Sequence, residues 1–382
     1  MPSRDRVSRR NWLLRPSGEG RPEPAPAGTG SGDLLRARRR AMGTHFDIRL
    51  PAQLPGAIDL ANRALDVIDR LEDQLTIYRD DSEVAALNRS AHLGPIEVEP
   101  GLFDLLARAE AIGQATEGAY DLTTGALSEA WGFFKGPRKV PEPEALADAR
   151  ARTGRQHLRL DPASRTVEFD RPGIVINLGS IGKGYALDRA AEVIASHWWP
   201  TGALIHGGQS SVVAIGSPPW DFGGRWEVGL RNPFDPERPL GTFRMRNRGM
   251  GTSGDTFQRF EAHGRRYGHI LDPRTGEPAA DGPAGVTVLA PTAAEADALS
   301  TAFYLLGPRR SAALIERHYP DVSALFLLEP AGDDRPRAIP IRLGPPISGP
   351  TAGCGCWRPR TRTRRDPVAK NGSRSQGGPR WP

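Results

Sequence analysis

Apolar positions along this chain recur at two periods, and the places where one gives way to the other mark its elements. Phe46, Ile48 and Leu50 alternate with polar neighbours, which predicts a first strand ending at Leu50. Ile58, Ala61, Leu65, Ile68, Leu71 and Leu75 then return every three or four residues, the stripe of a helix that stops around Tyr78-Arg79-Asp80-Asp81. Leu102, Leu105, Leu106, Ala109 and Ile112 predict a second helix over about 101–117, ended by Gly118. Strands over 157–161 and 166–170 flank the polar turn Pro162-Ala163-Ser164-Arg165. The apolar run Gly173–Leu178 reads as a central strand, feeding Gly179-Ser180-Ile181-Gly182-Lys183-Gly184 and then a helix over 185–197. Strands at 203–206, 211–216 and 226–230 follow, then helices over about 293–306 and 308–318 and a strand at 322–328. Strand clusters interrupted by helices, with hairpins among them, predict an α+β domain rather than a doubly wound parallel sheet.

Composition changes this picture mainly at the ends. Residues 1–40 hold ten Arg against four acidic residues, net +6, and residues 345–382 are net +7. The whole chain is only +6, so the stretch between them carries −7. The expected organisation is a flexible basic segment over 1–40, one large domain over 41–344, and a disordered Arg-rich tail over 345–382. A net-negative core argues against a nucleic-acid-binding domain. The two cysteines, Cys354 and Cys356, both fall in the tail and cannot staple the core, and no metal is assigned to them. No run approaches the roughly 18–20 apolar residues of a membrane span. Ser8-Arg9-Arg10-Asn11-Trp12-Leu13-Leu14 has the head of a twin-arginine export signal, but Arg15-Pro16-Ser17-Gly18-Glu19-Gly20 follows in place of an apolar stretch. No cysteine near the start offers lipid attachment, so the expectation is an unanchored soluble protein, cytoplasmic or exported.

Several segments carry candidate chemistry. Ala296-Asp297-Ala298-Leu299-Ser300-Thr301 stacks a carboxylate and a hydroxyl one helical turn apart among small or apolar residues. Such oxygen ligands suit a hard divalent cation such as Mg²⁺. The same spacing also suits an exposed Asp297 with Thr301 bonded back to the preceding turn. The glycine-rich run 179–184 lets backbone N–H groups approach phosphate at a helix N-terminus, with Lys183 as a full charge, although it matches neither a Walker A loop nor a dinucleotide fingerprint. Gly118-Ala119-Tyr120-Asp121-Leu122-Thr123 sets an aromatic beside an acid, fit either for a flat heteroaromatic ligand or for a core Tyr120 and an N-cap Asp121. Tyr78 is open to both readings. Gly251-Thr252-Ser253-Gly254-Asp255 is a hydroxyl-rich loop, and His269 precedes the turn Asp272-Pro273-Arg274-Thr275-Gly276. An imidazole there suits proton transfer or a structural hydrogen bond.

In their order along 41–330 these segments resemble the ApbE family, the FAD:protein FMN transferases. The likeness rests on Met42-Gly43-Thr44, Tyr78 with Ser82-Glu83 and Leu87-Asn88, the 118–123 run, Trp131-Gly132-Phe133, and Leu178 to Asp188. It continues through Gly207-Gly208, Thr252-Ser253-Gly254-Asp255, His269 to Gly276, and Ala296 to Ala302. The resemblance implies a single ApbE-like, T-fold-related α+β domain that transfers FMN from FAD to a Ser or Thr hydroxyl of an acceptor flavoprotein and releases AMP. By position it implies that Met42, Tyr78, Ala119, Tyr120, Asp121, Asn177, Lys183 and Ile270 contact FAD. Ser180 (through its backbone carbonyl), Asp297 and Thr301 would hold Mg²⁺, and His269 would be the base that deprotonates the acceptor. Alternatives with the same site are a Mg²⁺-dependent FAD pyrophosphatase, with water as nucleophile, and a low-turnover FAD-binding protein. The chain departs from the family pattern at Gln209-Ser210-Ser211, where relatives more often place an acidic residue or Asn, and in its Arg-rich tail.

Overall fold

A computed structural model describes residues 33–343, apart from 135, 198–201, 236, 238, 255–258, 280–281 and 330–336, together with the backbone of 356–359. The twin-arginine run and Cys354 lie outside the described residues. The chain opens on the hairpin β1 (Leu34–Ala41) and β2 (Thr44–Pro51), followed by α1 (Ala57–Leu75), α2 (Glu83–Ser90), β3 (Ile96–Glu97) and α3 (Pro100–Ala115). Next come α4 (Gly125–Ala130), α5 (Pro143–Ala151), β4 (Leu158–Asp161), β5 (Thr166–Phe169) and α6 (Gly182–Ala195). Then follow β6 (Ala203–Gly207), β7 (Ser211–Ile215), β8 (Trp226–Leu230), β9 (Gly241–Met245), β10 (Arg248–Ser253), β11 (Arg259–Ala262) and β12 (Arg265–Gly268). The last elements are β13 (Gly285–Ala290), α7 (Ala293–His318), β14 (Ser323–Leu328), β15 (Arg337–Ile341) and β16 (Cys356–Pro359). Among the described residues no helix is long and apolar enough to cross a membrane.

The frame is an eight-stranded antiparallel sheet in the order β1-β2-β6-β7-β10-β13-β14-β15. Strand periodicity divides its side chains between two faces. Phe46, Ile48, Leu50, Ile205, Val213, Val286 and Val288 point to one face, against the buried stripes of α1, α6 and α7. Leu204, Val212, Ala214, Met250, Leu289, Leu325 and Leu327 point to the other, where Trp226, Val228, Leu230, Phe243 and Met245 of the β8–β9 ribbon cover them. α7 is two helices joined at Gly307 (φ 71°), and Pro308 starts the second, so the boundary expected there is present.

Four expectations change. β1 lies inside the segment read as flexible, because its arginines hid the alternation: Leu35, Ala37 and Ala41 join the helix-side core. Arg39, on that same face, reaches Asp66 (2.6 Å) and Asp69 (2.7 Å) of α1. The domain therefore begins before residue 41. Within the tail read as disordered, 356–359 form β16 along β9, since pairing with an open strand edge needs only backbone groups. Ile58 is half exposed, and the stripe of α1 runs instead through Ala57, Leu60, Ala61, Ala64, Leu65, Ile68, Leu71 and Leu75.

The run Gly173–Leu178 buries Ile174, Ile176 and Leu178 but is no sheet strand; its one ladder contact is a parallel bridge from Val175 to Thr124. The Asn88 side chain takes the place of a neighbouring strand, accepting from Ile176 N–H at 2.8 Å and donating to the Ile176 carbonyl at 3.0 Å. A buried backbone must find partners, and here a side chain provides them.

Candidate active site

Glycines decide where α7 sits. A Cβ on Gly251 of β10 would lie 2.5 Å from Asp297 N, and one on Gly184 of α6 would lie 2.2 Å from the Ala293 carbonyl oxygen. Both strand and helix therefore press backbone to backbone against α7. Asp188, one turn further along α6, fixes the start of α7 by accepting from Ala293 N–H (2.8 Å) and Ala294 N–H (2.9 Å).

This packing drives Asp297 inward; only 6% of it is exposed. Gly184 N–H donates to its Oδ2 at 2.8 Å, and Ser211 Oγ lies 2.8 Å from Oδ1 and 3.0 Å from Oδ2. Burial raises the carboxyl to about 6, against the opposing pull of Lys183, Ser211 and Gly184. The N–H groups of a helix's first turn have no intrahelical carbonyl to reach and need partners from elsewhere. That of Gly184, third in α6, finds Asp297 and not the Ser180 carbonyl.

Thr301 lies one turn on. Its hydroxyl is 3.3 Å from the Asp297 carbonyl and 3.1 Å from Ser253 Oγ. Ser300 joins the same hydroxyl group, donating to the Asp297 carbonyl (2.9 Å) and meeting Ser253 Oγ (2.8 Å). The bland expectation for this segment is thus half met: Thr301 bonds back, but Asp297 is not exposed.

Of the other expected residues, Tyr120 and Lys183 lie within electrostatic reach of Asp297. Ser180 Oγ donates to the phenol of Tyr120 at 3.3 Å; Tyr120 is buried, and its phenol titrates well above its ordinary range. Lys183 Nζ donates to the Gly179 carbonyl at 3.3 Å, and Asn177 Oδ1 accepts from Gly179 N–H at 2.9 Å. Both contacts shape the turn that leads into α6. Met42 sits in the β1–β2 turn at φ 49°, a left-handed conformation uncommon outside glycine. Tyr78 is 67% exposed and its ring lies 5.0 Å from that of Phe134. Ala119 and Ile270 are buried. His269 follows β12, and the turn after it is fastened to α4 by Trp131, whose indole N–H donates to the Gly276 carbonyl at 2.9 Å. Asp255 lies outside the described residues.

Asp121 does not cap the helix that follows it, whose N-cap is Thr124. Its Oδ1 accepts from Thr123 N–H (2.7 Å) and Thr123 Oγ (2.6 Å), and its Oδ2 accepts from Arg155 N–H (2.7 Å). The carboxylate therefore ties its own turn to the start of the short 3₁₀ turn Arg155–His157. Ser253 belongs to the hydroxyl-rich run expected as a loop, of which Gly251 to Ser253 instead form the end of β10, whereas Ser211 stood out only as a departure from the family pattern. The available signal was a hydroxyl at a core-facing position of an otherwise apolar strand, where burial demands a partner.

Whether this site suits a metal follows from its donors. Among the described residues no three His, Cys, Asp or Glu side chains cluster, which does not fit a thiolate- or imidazole-bound zinc. One buried carboxylate, one hydroxyl and an uncapped carbonyl form an all-oxygen set with spare coordination places. That fits Mg²⁺, which keeps waters and takes phosphate oxygens.

Fold and site together define the class: an α+β protein with the architecture of solved flavin transferases. The ApbE protein of Thermotoga maritima superposes with a TM-score of 0.71 at 29% identity, covering 78% of this chain and 94% of its own. The flavin transferase ApbE of Vibrio cholerae gives 0.71 at 28% identity, covering 81% and 97%. The FAD:protein FMN transferase of Treponema pallidum is 33% identical over 311 residues, 78% of this chain and 84% of its own. That of Escherichia coli K12 is 29% identical over 317 residues, 81% and 88%. The ApbE family profile matches residues 42–326, and the chain belongs to the ApbE family.

Proposed function

We infer that this chain is an FAD:protein FMN transferase that uses Mg²⁺. The observation that carries the reading is the buried Asp297 carboxylate, held by Gly184 N–H at the mouth of a glycine-rich turn and by Ser211. A passive flavin binder has no use for an ionisable group kept at that depth, because burying a carboxylate is unfavourable unless a partner compensates it.

The reaction joins an acceptor Ser or Thr oxygen to the FMN phosphorus and breaks the bond from that phosphorus to the bridging oxygen, whose electron pair leaves with AMP. His269 takes the hydroxyl proton, a role that suits an imidazole near neutrality. The N–H groups at the start of α6 and Lys183 hold pyrophosphate oxygens. Tyr78 lies against the flavin, whose flat ring it can stack on, and Met42, Ala119, Tyr120, Asn177 and Ile270 shape the remaining walls. Asp121 acts through the loop it ties rather than through its carboxylate. Asp297, Thr301 and the Ser180 carbonyl would hold Mg²⁺, which would offset the negative charge on the phosphoryl oxygens and on departing AMP.

The test is incubation of the full chain with FAD, Mg²⁺ and Ser/Thr-bearing flavoprotein candidates, read by mass. An FMN adduct on a candidate protein is the expected result. Free FMN and AMP alone, with no adduct, would reassign the chain as a pyrophosphatase. Asp297→Asn keeps shape and the Ser211 contact, so it should fold and bind FAD while transfer falls by about 10²–10³-fold, the scale of losing one electrostatic contributor to the transition state. Full transfer by that variant would remove the metal assignment.

A further inference from the structure

The outer face of the sheet is covered by the β8–β9 ribbon only from Leu204 onward. At the β1–β2–β6 end it carries three cross-strand rows: Arg40 beside His45, then Arg38, Asp47 and His206, then Arg36 beside Arg49. Six of these residues, Arg36, Arg38, His45, Asp47, Arg49 and His206, line an open hollow of about 210 Å³. Asp47 is buried and pairs with both Arg36 and Arg49, the latter at 3.0 Å. Arg38 makes no ion pair among the described residues. Three guanidiniums against one carboxylate leave two positive charges uncompensated. His206 Nε2 is buried without a hydrogen-bond partner among the described residues. Burial, with Arg49 beside it, holds that imidazole down at about 4, so it is neutral at physiological pH and free to hydrogen-bond a ligand.

The hollow opens at the site end of the sheet. Its rim includes Thr44 and Gly208, next to the turn that carries Met42 and the turn that leads to Ser211. Gly208 N–H also donates to the His45 carbonyl at 2.8 Å, locking the two turns together. We propose that this trough receives an acidic stretch of the acceptor polypeptide, flanking the hydroxyl that is modified. The idea rests on the transferase reading above and adds how the acceptor is held. Three rows about 6.7 Å apart span roughly 13 Å, the length of about four extended residues. The charges are strung along that line rather than converging on one point, which suits spaced carboxylates better than a single phosphate.

The experiment compares wild type with Arg38→Glu and Arg38→Lys, using the full chain. Binding of a fluorescent poly-glutamate peptide is followed by anisotropy at low and high salt, with FAD binding as the control for folding. The acceptor KM in the transfer assay is the second readout. Wild type should bind the peptide in a salt-sensitive way, Arg38→Glu about fivefold or more weakly, and Arg38→Lys close to wild type. Acceptor KM should rise in parallel for Arg38→Glu, with kcat little changed. Peptide affinity or acceptor KM within about twofold of wild type in Arg38→Glu would overturn the trough while leaving the transferase reading intact. A single-stranded oligonucleotide binding more tightly than poly-glutamate would overturn it as well. Absence of any adduct with the wild-type enzyme would instead sink the transferase reading on which the acceptor's identity rests.

Discussion

At the scale of single residues, three ionisable groups, Asp297 buried and Asp188 and His206 partly so, pull stability in opposite directions with pH. Burial raises Asp297 and Asp188 to about 6 and lowers His206 to about 4. A carboxyl whose folded pKa lies above its unfolded value binds its proton more tightly when folded. Asp297 and Asp188 therefore lose stability as pH rises from about 4 to about 6. His206 behaves in the reverse sense: the unfolded chain takes up a proton below about 6.5 and the folded one resists until about 4. Its stabilisation is complete above pH 6.5 and is lost as pH falls through that window, by about 3 kcal/mol in all. The opposing terms flatten the wild-type profile, so the comparison that isolates His206 is a difference. The stability gap between wild type and His206→Gln, from chemical unfolding at several pH values, should shrink by about that amount between pH 7 and pH 4. A constant gap would mean that burial, with Arg49 and Arg36 beside the ring, does not hold it neutral against the pull of Asp47.

Glycine positions govern the scale of elements. The run 179–184 reads as a phosphate loop in sequence, yet Gly184 has a structural task that no local pattern announces, because the backbone of α7 passes where its Cβ would be. Gly184→Ala forces α6 and α7 apart at their closest point. The expected outcome is a loss of about 1–3 kcal/mol, typical of overpacking, read from the denaturation midpoint. Transfer should fall as well, since Gly184 N–H would no longer reach Asp297. Were stability unchanged, the close contact between these helices would be refuted. Periodicity predicts α1, α3, α6, the break in α7 near residue 307 and the strands β2, β4 to β8 and β14, but not the short α2 and α5 or the strands β3, β9 to β13, β15 and β16. Two further segments were misread, each for a definite reason. β1 carries arginines on both faces, and 173–178 is as apolar as a central strand while the Asn88 side chain supplies its partner.

Across the whole molecule, the site belongs to one end and the helix-bearing face of the eight-stranded sheet, whereas β16 lies on the far side, along the β8–β9 ribbon. A chain ended at residue 343 should therefore keep FAD affinity and transfer. It would also leave β9 as an open edge, the kind of surface that pairs with other copies. Light scattering against protein concentration should show more self-association than for the full chain. A loss of transfer in the shortened chain would mean that the tail takes part in the reaction.

What the amino-acid order fixed by itself was local: the periods that make helices and strands, the four-residue spacing of Asp297 and Thr301, and the ordered motifs that mark the ApbE family. Those depend on neighbours within a turn or two, where covalent geometry leaves few choices. Tertiary structure decided the rest. Whether Asp297 faces solvent or core, that Ser211, 86 positions away, holds it, that Asp121 ties two turns together, and that arginines of β1 and β2 form one trough are all outcomes of strand pairing and helix packing. Such contacts join residues far apart in the chain, and burial, which gives a carboxylate or an imidazole its altered affinity for protons, exists only once those partners meet.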